Sequence, residues 1–154
     1  MTCMQLIQWQ LDEPDRPGII WEAKCPSDGV AATATAAALA ERISAYSTHR
    51  CIVSSFDRTF LQAMRTLLPQ QPLALIAEVL PSDWLGFCEQ YDIDGVHLDG
   101  QQLDEGTAQS VIERHRQLRC YTINTISLAQ KLVQMGVGMV MTDRPDDFAV
   151  NGEH

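Results

Sequence analysis

Six times along this chain a short apolar run is followed by a longer amphipathic or polar segment, and few folds accommodate that alternation. The runs are Ile19 to Lys24, Cys51 to Phe56, Leu73 to Val79, Gly95 to Leu98, Cys120 to Asn124 and Met139 to Thr142. Each is short enough for a buried strand, and most are rich in Val, Ile or aromatic residues, which suits a parallel sheet covered on both faces. Between them lie helix-length segments: Val30 to Tyr46, Arg58 to Leu68, Asp83 to Tyr91, Glu105 to Arg116 and Ser127 to Met135. Ser27 or Asp28, Asp57, Ser82 and Asp104 stand where N-terminal caps belong, and Gly136 suits a C-terminal stop. The pattern predicts an α/β fold of right-handed βαβ units. An open doubly wound sheet accommodates six strands, whereas an eight-stranded barrel typically takes about 250 residues. Periodicity alone favours the open sheet.

Composition narrows the function classes. With 154 residues, 45% of them hydrophobic, and no Pro/Gly/Ser-rich linker, residues 1–154 are expected to form a single globular domain. A formal net charge of -9 argues against nucleic acid and anionic membrane surfaces as partners, because no stretch gathers enough Lys and Arg to neutralise a run of phosphates. Cys3, Cys25, Cys51, Cys88 and Cys120 are irregularly spaced with no Cys-x-x-Cys pair, and read as reduced, mostly buried small side chains. Neither a signal peptide nor a membrane span of about 20 apolar residues is evident, which predicts a cytoplasmic location.

Polar residues gather at the ends of the apolar runs: Glu22 and Lys24, Ser54 and Ser55, Glu78, His97 and Asp99, Thr122 and Asn124, Thr142 and Asp143. In either architecture the functional face is at the C-terminal ends of the strands. Such a rim suits phosphate chemistry, with carboxylates holding a hard cation and an ammonium balancing phosphate charge. Glu22 and Lys24, two apart on one strand, point to the same face. On spacing alone, the ordinary reading of an isolated Glu-x-Lys on a strand is a solvated or salt-bridged pair.

Four motifs in order then carry a family resemblance. Ile19-Ile-Trp-Glu-Ala-Lys24 is similar to the Glu-x-Lys strand of the glycerophosphodiester phosphodiesterases, and Ile52-Val-Ser-Ser-Phe-Asp57 resembles their Ser-Phe strand. Tyr121-Thr-Ile-Asn124 resembles their aromatic-Thr-Val-Asn motif, as some cytosolic bacterial members have it. Gly136 to Pro145 is similar to their closing Gly-Val-Asp-x-x-x-Thr-Asp-x-Pro segment. The resemblance implies about six βα units of a phospholipase-C-like (β/α)8 TIM barrel, and hydrolysis of glycerophosphodiesters to glycerol 3-phosphate and an alcohol. It implies that Glu22 is a ligand of a divalent cation, Mg2+ or Ca2+, that Lys24 contacts the substrate phosphate, and that Phe56 and Tyr121 line the pocket. Thr142 and Asp143 match a motif of structural character.

The family's His-Arg-Gly strand, Glu-Asn-Thr segment, Glu-x-Asp metal pair and His-Asp motif stand before the Glu-x-Lys strand and have no counterpart here. The chain is therefore expected to be the C-terminal part of the domain, lacking its N-terminal strands, with no catalytic residue of its own and inactive alone. Met4 to Leu11 resembles the end of the helix leading into the Glu-x-Lys strand. His49-Arg50 lacks the following glycine and precedes a strand; His97 reads as a hydrogen-bonded structural residue; His115 lies on a polar helix face, and His154 is terminal. Unpaired strand edges predict a homodimer, or a complementing N-terminal fragment. Two alternatives to an enzyme role stand beside this reading: a non-catalytic phosphate- or metal-binding remnant, and an open-sheet interaction module. The Ala-rich run Ala31 to Ala40, the methionines Met135, Met139 and Met141, and the pair Trp84 and Phe87 read as helix and core. Asp146 to Glu153 reads as a solvated acidic end.

Overall fold

The computed structural model describes residues 3–12, 17–25, 28–44 and 51–149. In chain order the elements are α1 (Cys3–Asp12), β1 (Ile19–Ala23), α2 (Gly29–Ile43), β2 (Cys51–Ser55), α3 (Arg58–Leu67), β3 (Leu73–Ala77), α4 (Trp84–Gln90), β4 (Gly95–Asp99), α5 (Glu105–Glu113), β5 (Gln117–Tyr121), α6 (Ile126–Gln134), β6 (Met139–Val140) and α7 (Pro145–Ala149). The chain divides into two compact units, Met1–Leu75 with Gly86–Ile93, and Ile76–Leu85 with Asp94–His154. Among the described residues no helix is long and apolar enough to cross a membrane. Ser27, Tyr46, His49, Arg50 and His154 lie outside the described residues.

In the first unit β1 and β2 pair in parallel from Ile19↔Cys51 to Ala23↔Ser55, and β2 pairs with β3 from Val53↔Leu73 to Ser55↔Leu75. Asp28 caps α2, its carboxylate accepting the Val30 N–H at 2.9 Å. Asp57 caps α3, accepting the Phe60 N–H at 2.8 Å. Helix α2 buries Ala32, Ala36, Ala40 and Ile43, one stripe at helical spacing, against α3. Small side chains there let the two backbones approach. From α3 come Phe60, Leu61 and Met64, all fully buried, and burial stabilises each by about 1.5–3 kcal/mol. Arg65, on the same helix, donates Nε to the Tyr91 carbonyl at 3.1 Å and Nη1 to those of Pro69 and Gln71 at 2.7 and 3.0 Å. Its Nη2 donates to the carbonyl of Asp92, a residue in the left-handed region at φ 47°. One planar fork thus satisfies carbonyls from two turns, which the compact ammonium of lysine could not reproduce.

In the second unit β4 pairs with β5 from Gly95↔Gln117 to Asp99↔Tyr121, and β5 with β6 through Arg119↔Met139 and Cys120↔Val140, all parallel. Val96, Leu98, Leu118, Cys120 and Ile123 are buried with Ala108 and Val111 of α5 and Ala129 and Leu132 of α6. Asp104 caps α5 through the Thr107 N–H at 2.7 Å, and these hydrogen bonds hold its carboxyl below the usual carboxylate range. Gly136 ends the α6 segment at φ 90°, as its glycine predicts.

Boundaries moved where polarity masked a strand. The fifth strand was expected at Cys120 to Asn124, but β5 is Gln117–Tyr121, because Gln-Leu-Arg-Cys-Tyr alternates exposed and buried positions instead of forming one apolar run. Strand β6 covers only Met139–Val140 of the expected Met139 to Thr142. The acidic end contains helix α7, whose Pro145 sits at the first helical position with Asp146 and Asp147 in the first turn. His115 lies past α5 in a left-handed conformation at φ 56°, not on the helix face.

Candidate functional site

At the C-terminal ends of β1 and β2 the first unit opens a cavity of about 590 Å³. Glu22, Lys24, Cys25, Ser55, Phe56 and Asp57 line it, together with the first turns of α2 and α3 at Gly29 and Thr59. Parallel pairing places it there: β1 carries Glu22 and ends one residue before Lys24, while β2 ends at Ser55 and the α3 cap follows two residues on. Glu22, Lys24 and Phe56 are therefore brought together. Lys24 Nζ lies 3.8 Å from Glu22 Oε1, with their side chains 84% and 41% exposed. So exposed a pair contributes little stability, and both groups remain accessible to a ligand.

Ser55 and Asp57 complete the wall; Ser55 is one of the polar strand-end residues expected on that face. Ser55 is fully buried; its hydroxyl donates to the Ala23 carbonyl at 2.7 Å and accepts the Asp57 N–H at 3.0 Å. It thereby ties the peptide between Glu22 and Lys24 to the turn carrying Phe56. Ser54, its neighbour, is buried with no partner for its hydroxyl among the described residues. Asp57 was legible only as a cap. Burial pushes the Cys25 thiol up, and the Asp57 charge adds to that, while hydrogen bonding to Ser55 and Thr35 opposes it.

Tyr121, the remaining predicted pocket residue, stands on β5 in the second unit, its hydroxyl donating to the Ala77 carbonyl at 3.1 Å. At that unit's strand ends the Asn124 side-chain oxygen accepts Thr142 Oγ1 at 2.9 Å and the Asp143 N–H at 3.0 Å. Thr142 Oγ1 accepts the Arg144 N–H at 3.0 Å, so the Thr-Asp segment serves as a structural tie. His97 on β4 is 1% exposed, and its Nε2 has no partner among the described residues. Burial, then the neighbouring Arg119 charge, hold its pKa down at about 4. Burial lowers Arg119 in turn, against the opposing effect of Asp94. Cys51, Cys88 and Cys120 are buried thiols outside any disulfide, as expected, and burial followed by the Asp99 charge pushes Cys120 up to about 12.

The resemblance implies a divalent cation at Glu22, which would need further oxygen donors at this cavity. Glu22 and Asp57 are the carboxylates among the described lining residues, and no cluster of three or more metal-capable side chains occurs among the described residues. A hard cation takes about six oxygens, water included. These residues by themselves do not make such a site, and no chemical step is assigned through a metal.

In parallel α/β chains the ligand site lies at the C-terminal ends of the strands, where this charged cavity opens. The sequence model of the glycerophosphoryl diester phosphodiesterase family matches residues 13–147, and the chain belongs to that family. Among solved structures it is similar to an Oleispira antarctica phosphodiesterase in complex with the product sn-glycerol-3-phosphate, at 25% identity and a TM-score of 0.84. That match covers 97% of this chain and 60% of the other. It is also similar to a glycerophosphodiester phosphodiesterase from Parabacteroides distasonis, at 14% identity and a TM-score of 0.80, covering 94% of this chain and 60% of that one. The chain thus spans about 60% of the length of these structures. A comparison with the curated proteins finds no match. The fold expected on the resemblance, about six βα units belonging to a (β/α)8 barrel, is the one found.

Proposed function

We propose that this chain carries the phosphate-binding side of a glycerophosphodiester phosphodiesterase site, the reaction releasing glycerol 3-phosphate and an alcohol. The observation that carries the reading is the convergence of Glu22, Lys24 and Phe56 in one cavity, within the residues matched by the family. Lys24 faces the phosphate as a point charge and Phe56 contacts the organic part, while a pocket role for Tyr121 rests on the family resemblance alone. Glu22 supplies one carboxylate toward a divalent cation completed by other groups. The product named for the Oleispira structure supports glycerol 3-phosphate as the ligand to test. In our reading no residue here is the general acid or base, a contribution of about 10²- to 10⁴-fold, so the chain alone has hydrolysis near background.

Calorimetric titration with sn-glycerol 3-phosphate should show binding, weakened about tenfold in Lys24→Ala, as loss of one charge-assisted contact implies. Lys24→Ala binding as tightly as wild type would remove the phosphate role. Hydrolysis of glycerophosphocholine with Mg2+ or Ca2+ that Glu22→Ala abolishes would overturn the inactive-alone part. A non-catalytic phosphate binder is the second reading, favoured by the pairing of Glu22 with Lys24.

The partner we propose is a second copy of the chain, since β1 pairs on one side only among the described residues. Light scattering during size-exclusion chromatography should give twice the chain mass, and a monomer would refute this. A cytoplasmic location belongs to the same reading, supported by the free cysteines Cys25, Cys51, Cys88 and Cys120.

A further inference from the structure

We propose that the cavity between helices α5 and α6 of the second unit is a binding site for a free α-amino acid with an apolar side chain. The site is independent of the phosphodiester reading, since none of the described residues lining the strand-end cavity takes part in it. Its volume is about 460 Å³, within the range of small-molecule sites, and Glu105, Gln109, Ile112, Lys131, Gln134 and Met135 line it. Helical spacing makes the two walls. Glu105, Gln109 and Ile112 recur on one face of α5, while its Ala108 and Val111 turn to the core. Lys131 and Gln134, with Met135 at the C-cap, form the facing wall on α6, whose Ala129 and Leu132 are buried.

The walls differ along their length. Both helices lead into strands of parallel pairs and so run the same way. Their C-terminal ends meet: a Cβ at Gly136 would lie 2.6 Å from the Ile112 δ-methyl carbon, in a place that glycine leaves free. Ile112 and Met135 therefore make the cavity's apolar end. Glu105 opens α5, about 10 Å back along the axis from Ile112, and Lys131 stands one turn before Met135. These two make the charged end. Charges on a helix surface are ordinarily solvated or paired with a neighbour. Here a carboxylate and an ammonium face one concave volume, and among the described residues their side chains form no ion pair with each other or with a third group. Gln109 is held by donating Nε2 to Glu113 Oε1 at 2.6 Å, which leaves its side-chain oxygen as an acceptor.

A ligand of one sign would satisfy one of these charges and be repelled by the other, and a metal ion would find a single carboxylate. An α-amino acid carries an ammonium and a carboxylate on one carbon and sends its side chain away from both. Its ammonium meets Glu105, its carboxylate meets Lys131, and its side chain covers Ile112 and Met135.

Calorimetric titration of the purified chain with L-leucine should show saturable binding. N-acetyl-L-leucine lacks the ammonium, L-leucine amide lacks the carboxylate and glycine lacks the side chain, so each should bind at least about tenfold more weakly. Glu105→Gln should weaken L-leucine about tenfold without weakening N-acetyl-L-leucine, and Lys131→Gln should weaken it as much without weakening the amide. Circular dichroism melts establish that each variant is folded, and the analogue series on wild type decides the matter if one is not. No binding of L-leucine up to about 10 mM, or analogues that bind as tightly as L-leucine, overturns the site. So does a loss on substitution that L-leucine shares equally with the analogue already lacking the paired group, since the substitution then does not act through that charge.

Discussion

Gly95→Ala is expected to cost about 2–3 kcal/mol, through forced displacement of close-packed strands. Gly95 opens β4 directly opposite Gln117 of β5, and it is buried. A Cβ built there would collide with the Gln117 carbonyl oxygen and come within 2.8 Å of its Cβ and 3.1 Å of its carbonyl carbon. Two of these three are backbone atoms, so no side-chain rotation relieves the collision. The strands themselves must separate, at the point where the Gln117 N–H donates to the Asp94 carbonyl at 3.1 Å. Urea unfolding of the variant should show a lower midpoint with unchanged slope. A loss below about 0.5 kcal/mol, the range of ordinary surface changes, would mean that the β4–β5 approach is looser than described. Gly86, with nothing near its would-be Cβ, is the control in which no such collision occurs.

Acidification should cost a similar amount through one residue. His97 is buried with its pKa lowered from 6.5 to about 4, burial first and the Arg119 charge second. Above pH 6.5 the imidazole is neutral in both folded and unfolded chains, and its contribution to stability is fully present. As pH falls below 6.5 the unfolded chain takes up a proton that the folded chain refuses, so stability drops until the folded group titrates near pH 4. That gap corresponds to about 3 kcal/mol. Other groups titrate on further acidification, among them the Asp104 cap, whose carboxyl is held below its ordinary range, so the quantity to read is the difference between wild type and His97→Leu. The variant should hold more of its stability on acidification. Identical pH profiles for the two would show that the imidazole is not shielded from water.

Much of the fold was legible because apolar runs and caps coincide with real boundaries. Asp28, Asp57 and Asp104 all cap as their positions suggested, each satisfying an N–H of the following turn. The strands at Ile19, Cys51, Leu73 and Gly95 begin where their runs begin. Strand β5 was misplaced because Gln117 and Arg119 look like loop residues until pairing with β4 shows them alternating with Leu118 and Cys120. Helix α7 was missed because its acidic residues were read as solvation and not as a favourable first turn. At the cavity the charged and aromatic residues Glu22, Lys24 and Phe56 were visible from motif and alternation. Ser55 as the tie between β1 and the turn after β2 was not, because a serine in an apolar run carries no local signal of the carbonyl it will meet. That partner lies 32 residues earlier and becomes known only with the register of the two strands.

Every described residue lining the strand-end cavity falls between residues 22 and 59. Bringing such ends together costs only slowly growing closure entropy, because the connecting chain is short and half of it is helix α2. During synthesis the described lining is therefore all in place in the chain once the start of α3 has been made. Its residues are also contiguous as an inherited unit: insertions or losses elsewhere in the chain leave the order from Glu22 to Thr59 untouched.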